Sequence, residues 1–505
     1  MGLARGWSVA LQGVDGHLVE IEADVGGGLP GVFLVGLPDA ALHESKDRIR
    51  AAVVNSGLVW PNERIVLALS PASLRKTGSG FDLALACAVL AAAEALPERA
   101  LERTVLLGEL ALDGRLRTVR GVLPALLAAK TAGLPRAIVP VGALGEAALV
   151  GAAGGGIEVL GAATLHEVLA FLRDGAPLRR PEPVPAADAD PPDLADVLGQ
   201  DDARHALEVA AAGGHHLLLV GPPGTGKTML AQRIVGLLPR LSDADALGLA
   251  AIRSVAGRLP AGVPLTSVPP VVSPHHSCSM AALVGGGSGI ARPGAVSLAH
   301  SGVLFMDEAP EFGAHLLDAL RTPLEEGEVR LSRAEGTVHY PARFQLVLAA
   351  NPCPCAPAHD RDCVCPSVTR RRYLGRLSGP LLDRVDLRAR MFPVTTFALD
   401  AHGVEDTATV RARVLAARAT AEARWAPHGW RVNAEVPGPA LRSRFALPRA
   451  AVRPLEAGLR SGDLTARGAD RAVRVAWTLS DLAGRDRPGV EDVEAALYFR
   501  DRRAA

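Results

Sequence analysis

Gly221-Pro222-Pro223-Gly224-Thr225-Gly226-Lys227-Thr228 is the stretch on which the fold class turns. It has the form G-x-x-x-x-G-K-[ST], and it stands between the apolar run at 216–220 and a helical pattern starting near Thr228. Strand, glycine loop and helix in that order are the context this pattern requires. The glycines let successive backbone N–H groups turn inward around phosphate oxygens, and the following helix points the positive end of its dipole at the same charge. Lys227 is expected to reach the β- and γ-phosphates of bound ATP, and Thr228 to ligate Mg2+. Lysine occurs in this chain only at positions 46, 76, 130 and 227, so its presence in the loop is not background.

Working outward, 505 residues with 49% hydrophobic and 21% charged side chains describe a soluble globular chain of about three domains. No apolar run reaches the length of a membrane span, and Met1-Gly-Leu-Ala-Arg-Gly-Trp7 lacks the apolar core of a signal peptide. A cytoplasmic protein with no membrane partner is the expectation. The formal net charge is zero, which argues against a uniformly basic nucleic-acid binder. Positive charge is nevertheless gathered in the second half. Residues 401–505 hold 18 arginines and no lysine against 13 acidic residues, and residues 370–390 hold seven arginines against Asp383 and Asp386, each stretch netting +5. Of six cysteines, Cys87 lies in an apolar helical pattern and reads as core, Cys278 stands alone, and four are clustered, which is no secreted disulfide framework.

Residues 1–176 read as an independent α/β domain, with strands near 32–37, 65–69, 105–107 and 137–141 alternating with helices near 40–56, 81–95 and 123–132. The proline-rich, acidic segment from 177 to 195 reads as a linker. A second domain, 196–395, carries the P-loop. Residues 396–505 are wholly helical in pattern, with helices near 407–426, 448–461, 467–482 and 490–500.

Asp307-Glu308 ends the apolar strand Val303-Leu-Phe-Met306. An aspartate at the carboxyl end of a parallel strand holds Mg2+ through water, and the adjacent glutamate polarises the attacking water. Asn351 ends the next apolar strand, 344–350, where its amide can orient the lytic water against the γ-phosphate. Cys353-Pro-Cys355 and Cys363-Val-Cys365 place four thiols within 13 residues. They can surround one tetrahedral Zn2+, with His359 as a substitute ligand, or stand as free structural thiols or a redox switch.

Ser378-Gly-Pro-Leu-Leu-Asp-Arg384-Val-Asp386 resembles the arginine-finger motif of the helix-2-insert clade of AAA+ ATPases. The resemblance implies that Arg384 reaches the nucleotide of a neighbouring subunit, and that Arg467, or failing that Arg471, is the lid arginine called sensor 2. Long blocks narrow it further: Pro274-His-His-Ser277, Arg292-Pro-Gly-Ala-Val-Ser-Leu-Ala-His300, Leu320-Arg-Thr-Pro-Leu-Glu-Glu326 and Asn351-Pro-Cys-Pro-Cys355 resemble the YifB/ComM group of magnesium-chelatase-like ATPases along nearly the whole chain. This implies a P-loop AAA+ α/β/α core with an all-α C-terminal lid, assembled as a homo-oligomer, a hexamer, around DNA. The function implied is ATP-driven branch migration. In such a ring the hairpin pattern at 329–340 enters the pore, where Arg330, Arg333 and His339 would meet phosphates, and Arg370, Arg371 and Arg372 would form a basic loop beside the cysteines. The competing reading is a remodelling or chelatase-type ATPase acting on a protein or on metal insertion. In the first domain, Arg75-Lys-Thr-Gly-Ser-Gly-Phe-Asp82 and Gly108-Glu-Leu-Ala-Leu-Asp-Gly-Arg115 resemble the proteolytic domain of Lon, a ribosomal-S5-domain-2-like α/β fold. Laid over it, Gly80 falls at the nucleophile position and Leu123 at the lysine position, so the domain is expected to be proteolytically inactive.

Overall fold

A computed structural model describes residues 2–500 except 155, 183–187, 189, 261, 263, 288–290, 334–335, 358–361 and 395–403. The N-terminal unit is built on a seven-stranded mixed sheet formed by β1 (Gly2–Gln12), β2 (Asp15–Gly26), β3 (Gly31–Val35), β4 (Arg64–Ser70), β5 (Thr104–Leu106), β8 (Arg136–Pro140) and β9 (Glu158–Ala162), in the order β3-β4-β2-β1-β5-β8-β9. A small antiparallel pair, β6 (Glu109–Leu110) and β7 (Leu116–Arg117), stands apart. The expected strands at 32, 65, 105 and 137 are present, but the two longest strands, β1 and β2, precede all of them. They pair antiparallel without a break from Gly2 opposite Val25 to Gln12 opposite Asp15. Their signal was a plain alternation: Val19, Ile21, Ala23 and Val25 point inward while the residues between them do not.

The helix Asp82–Ala92 is buried along its whole length, so it has no polar face to reveal its period. Its first residue, Asp82, is anchored by Ser45 Oγ, Arg48 Nε at 2.9 Å and the backbone N–H of Leu110. A buried carboxylate is tolerable only with such partners. Cys87 sits in this helix with its thiol pushed up to about 12 by burial, an inert core residue.

The second unit has a five-stranded, all-parallel sheet of β10 (Leu217–Val220), β11 (Val271–Val272), β14 (Val303–Met306), β17 (Gln345–Ala350) and β18 (Leu387–Arg390), in the order β11-β14-β17-β10-β18. Parallel strands covered on both faces read as unbroken apolar runs, and β10, β14 and β17 are buried at every position. Two antiparallel pairs project from it: β12 (Gly285–Gly286) with β13 (Arg292–Pro293), and β15 (Glu328–Arg333) with β16 (Gly336–Pro341). After β14 the chain forms two short helices, Gly313–Asp318 and Arg321–Glu326. The helix Asp243–Ala256, which the sequence reading passed over, starts at an N-cap where Ser242 accepts from Asp245 N–H.

From Thr407 onward the described residues are helical: Thr407–Trp425, Arg449–Ser461, Ala466–Leu482 and Val490–Tyr498 are the longer elements. The boundary expected at 395–396 lies outside the described residues. These helices share one apolar core with the parallel sheet, running from Leu207 and Leu217 to Trp425, Trp477 and Phe499. Trp425 lies at its centre, edge-on to Phe445 at 4.6 Å and Trp477 at 5.5 Å, with its Nε1 donating to Asn433 Oδ1 at 2.7 Å.

A buried polar junction also joins sheet and helices. Asp386 accepts from His216 N–H at 2.9 Å and from Arg471 Nη1 at 2.6 Å. Burial opposes its ionisation, yet Arg471, His215 and His216 together hold its carboxyl well below the usual range. The two histidines are pushed down to about 4 by burial, which outweighs the pull of Asp386. In the unfolded chain they titrate near 6.5. Between roughly pH 6.5 and 4 the unfolded state therefore binds more protons than the native one, and stability falls as pH drops through that window. The unfolding free energy from urea titration is expected to fall between pH 7 and pH 4.5, by on the order of 2 kcal/mol per histidine, and the urea midpoint with it. His216→Gln, which keeps an acceptor for the N–H of Leu346 now bonded to His216 Nδ1 at 3.0 Å, should flatten that dependence. A midpoint indifferent to pH over this range in the wild type would show that these imidazoles are not held neutral by the fold.

Candidate active site

Three adjacent parallel strands bring the P-loop, the acidic pair and Asn351 to one edge. Val220 pairs with Ala350 and Met306 with Leu348, so Gly221, Asn351 and Asp307 leave the sheet side by side at its carboxyl end. The helix Lys227–Leu237 begins at the loop's last glycine, Gly226, which lies in the left-handed region at φ 88°. Glycine is required at 221 for a steric reason: a Cβ there would lie 2.6 Å from Met391 O. Residues 391–392 are in turn fixed by Gln200, whose side chain donates to Phe392 O at 2.7 Å and accepts from Phe392 N–H.

Lys227 Nζ bonds Gly221 O and Pro222 O, both at 2.7 Å, and Asn351 Oδ1 at 3.1 Å. Burial lowers its pKa, with Asp307 and Glu308 acting in the opposite direction. Thr228 Oγ1 donates to Asp307 Oδ2 at 2.6 Å. A hydroxyl and a carboxylate presented together are hard oxygen donors of the kind Mg2+ takes. Five of the residues singled out from sequence, Lys227, Thr228, Asp307, Glu308 and Asn351, thus meet in one place, and the ammonium occupies the concavity that a phosphate would fill.

Glu308 has a left-handed backbone, φ 52°, uncommon for a residue with a side chain. Its N–H donates to Asp307 Oδ1 at 2.9 Å, and its Oε2 lies 3.4 Å from His276 Nδ1. His276 arrives there because β11, which precedes it, pairs with β14, which precedes Glu308. His275 packs against it with ring centroids 4.1 Å apart. The sequence reading quoted both histidines and gave neither a role, because β11 is only two residues long and has no periodicity to read.

Arg384 and Arg467 do not join this cluster. Arg384 is buried, its side chain 8% exposed; Nη2 pairs with the Glu325 carboxylate and Nη1 donates to Pro380 O at 2.6 Å. Arg467 is exposed and makes no ion pair among the described residues, whereas Arg471 is drawn inward onto Asp386 and the carbonyl of Arg384 at 2.8 Å. In the hairpin, Arg330 is paired with Glu328 at 2.6 Å and Glu326 at 3.1 Å, and His339 lies 3.6 Å from Glu328. The side chain of Arg333 lies outside the described ones. Arg370, Arg371 and Arg372 are exposed as expected, but on the helix Ser367–Leu374 rather than a loop. The helical pitch therefore fans them around an axis instead of aligning them.

Cys353, Cys355, Cys363 and Cys365 place their Sγ atoms within 4.8 Å of one another. Separations of 3.2 Å for 353–355, 3.4 Å for 353–363 and 3.7 Å for 355–363 compare with about 3.8 Å between sulfurs around a tetrahedral zinc with bonds of about 2.3 Å. The donor set and its compactness fit Zn2+. His359 lies outside the described residues. The cluster begins two residues after Asn351 and leads into the helix Ser367–Leu374, whose Tyr373 is buried; Arg376, just past its end, pairs with Glu311 at 3.0 Å.

Family models match almost the whole chain: "Magnesium chelatase, subunit ChlI" at residues 193–398, "Subunit ChlI of Mg-chelatase" at 21–143 and "Magnesium chelatase, subunit ChlI C-terminal" at 404–500. A protein of Mycobacterium tuberculosis is 59% identical over 503 residues, 99% of each chain. YifB of Escherichia coli is 42% identical over 501 residues, covering 97% of this chain and 96% of its own. The competence protein ComM of Haemophilus influenzae is 40% identical over 511 residues, covering 99% of this chain and 98% of its own. With a P-loop, an acidic pair and a polar strand end converging on one parallel sheet, and with these relatives aligned from end to end, the chain belongs to the YifB/ComM family of magnesium-chelatase-like AAA+ ATPases.

Proposed function

We propose that the protein is an ATP-driven motor that acts on DNA as a ring of identical subunits, a hexamer, and that it moves DNA branches. The observation that carries the ATPase half is the convergence of Lys227, Thr228, Asp307, Glu308 and Asn351 at one sheet edge. In this reading the loop from Gly221 through Pro222, Pro223, Gly224, Thr225 and Gly226 cradles the phosphates of ATP. Lys227 leaves its own loop carbonyls for the phosphate oxygens, with which it forms charge-assisted hydrogen bonds. Thr228 and Asp307 hold Mg2+, which neutralises charge building up on the phosphates. Glu308 accepts the proton of the attacking water, Asn351 orients that water, Arg384 comes from the next subunit, and Arg467 closes from the lid. The site is then complete only in an assembly.

Support for DNA is the paired hairpin β15–β16, with Arg330 and His339 facing each other in register, followed after a few residues by the strand that ends at Asn351. The proposed organisation is a Lon-like, proteolytically inactive domain at 1–176, a linker at 177–195, the ATPase core at 196–395 and the lid at 396–505. In the first domain Leu123 is fully buried, with its N–H on Glu146 Oε1 at 2.6 Å, and Ser79 donates to Glu109, a carboxylate. No helix among the described residues is long and apolar enough to cross a membrane. The second reading, a chelatase-type or remodelling ATPase acting on a protein or on metal insertion, draws on the ChlI description of the matching family models.

Branched or single-stranded DNA is expected to stimulate ATP hydrolysis severalfold, with a steep loss of DNA binding as salt rises; no binding and no stimulation at low salt would leave the second reading. Lys227→Ala should abolish nucleotide-dependent activity. Arg384→Ala should remove at least a hundredfold of turnover while leaving ATP affinity largely intact, and mixing it with Lys227→Ala subunits should restore some activity through composite sites. Turnover at the wild-type rate in Arg384→Ala would exclude the trans role.

The four cysteines are assigned to a zinc knuckle that stiffens the segment between Asn351 and the arginine-bearing helix. Metal analysis should return one zinc per chain. Cys355→Ser should lose it and lower the melting temperature by several degrees. A metal-free protein with four freely titratable thiols would rule the knuckle out.

A further inference from the structure

Among the described residues the N-terminal unit meets the rest of the chain at the hairpin and along the helix Asp243–Ala256. The long β1–β2 ribbon ends in the turn Gly13–Val14, and a Cβ on Gly13 would lie 2.4 Å from His339 O and 2.9 Å from Val338 Cγ1. Gly13 also has φ 68°, so glycine satisfies both the turn and the close approach. Leu11 and Val14, on either side of it, pack into the apolar cluster that contains Leu331 and Val338 of the hairpin and Tyr340 beneath it. The second point lies at the start of the helix Val122–Thr131. There Glu146 accepts from both Leu123 N–H and Ser254 Oγ, and Leu11 and Val255 close over Gly121. Ser254 and Val255 belong to the helix Asp243–Ala256, which follows the P-loop helix. Between the two points lies a cavity of about 890 Å3, lined by His17, Pro124, Ala128, Gly248, Ala251 and Pro341 among others.

Both ends of the hairpin lead to the ATPase machinery. β15 follows the helix Arg321–Glu326, whose Glu325 pairs with Arg384, and β16 runs through residues 342–344 into β17 and Asn351. We infer that the β1–β2 turn is a brace that holds the β15–β16 hairpin against the core, so that the N-terminal unit governs how DNA contact at the hairpin is passed to the nucleotide site. Its functional half rests on the DNA-motor reading above; its structural half does not. A brace explains why an enzyme-like domain without an enzyme's residues is kept in contact with the motor.

Full-length Gly13→Ala and Val14→Ser test it. The first adds a clash and backbone strain; the second removes apolar contact without touching the backbone. Amide exchange at 329–331 and 338–340 should accelerate about fivefold or more in both variants, while amides of β1, β2 and the C-terminal helices keep their wild-type rates. Basal ATP hydrolysis should stay within about twofold of wild type, and stimulation by branched DNA should fall about fivefold or more. Unchanged hairpin exchange in both variants overturns the brace, and so does wild-type DNA stimulation in both. If Gly13→Ala disrupts β1 and β2 themselves, Val14→Ser alone decides. A wild type that DNA does not stimulate defeats the motor reading, and the exchange rates then judge the brace by themselves.

Discussion

One buried carboxylate sets the relation between the parts of the ATPase half. Asp386 opens the strand β18, accepts from the N–H of His216 at the start of the P-loop strand, and is neutralised by Arg471 from the helical C-terminal unit. Removing either partner of such a pair strands a charge in the apolar interior, at a cost of about 3–5 kcal/mol. The pair does little for stability beyond that, because its Coulombic gain offsets desolvation. What it fixes is registration. Arg384 lies two residues before Asp386, its carbonyl is held by the same Arg471, and Arg500 bonds the carbonyl of Val385 between them at 3.0 Å. The helical unit is therefore tied to the backbone beside Arg384 by two guanidinium groups, those of Arg471 and Arg500.

The nucleotide site was legible because its signals are local and its strands are buried. β10, β14 and β17 are buried apolar runs followed directly by the glycine loop, the acidic pair and Asn351, and in any parallel arrangement their carboxyl ends share one edge. The order β11-β14-β17-β10-β18 itself was not legible, since nothing in the runs says that the strand ending at Asn351 inserts between the other two. That insertion is what brings the Asn351 amide within 3.1 Å of Lys227. The C-terminal helices were readable within two residues because their amphipathic faces are pronounced. The helix Asp82–Ala92 was placed by its apolar length alone.

What escaped the sequence depends on pairing at long range. β2 alternates plainly, but β1 does not: its buried positions include alanine, glycine and serine, a weak signal beside the valine- and leucine-rich strands that follow. The burial of Arg384 could not be foreseen, because Glu325 is 59 residues away in sequence and meets it only through the fold. His276 reached Glu308 in the same way, by strand adjacency.

A further consequence of the fold concerns the acidic stretch Glu325-Glu326-Gly327-Glu328. It supplies the counterions of Arg384 and of Arg330, the two arginines that the motor reading assigns to charges outside the subunit. The two pairs differ in strength. Arg330 is about half exposed, and an exposed ion pair is weak, so another anion can compete for it directly. Arg384 is covered, and its guanidinium can leave Glu325 only if the helix Arg321–Glu326 shifts or another anion replaces the carboxylate. Because both carboxylates stand on the same turn and a half of chain, a pull on Arg330 acts on the element that holds Arg384. The four residues 325–328, spanning the end of one short helix and the start of the strand after it, thus hold the counterions of both arginines.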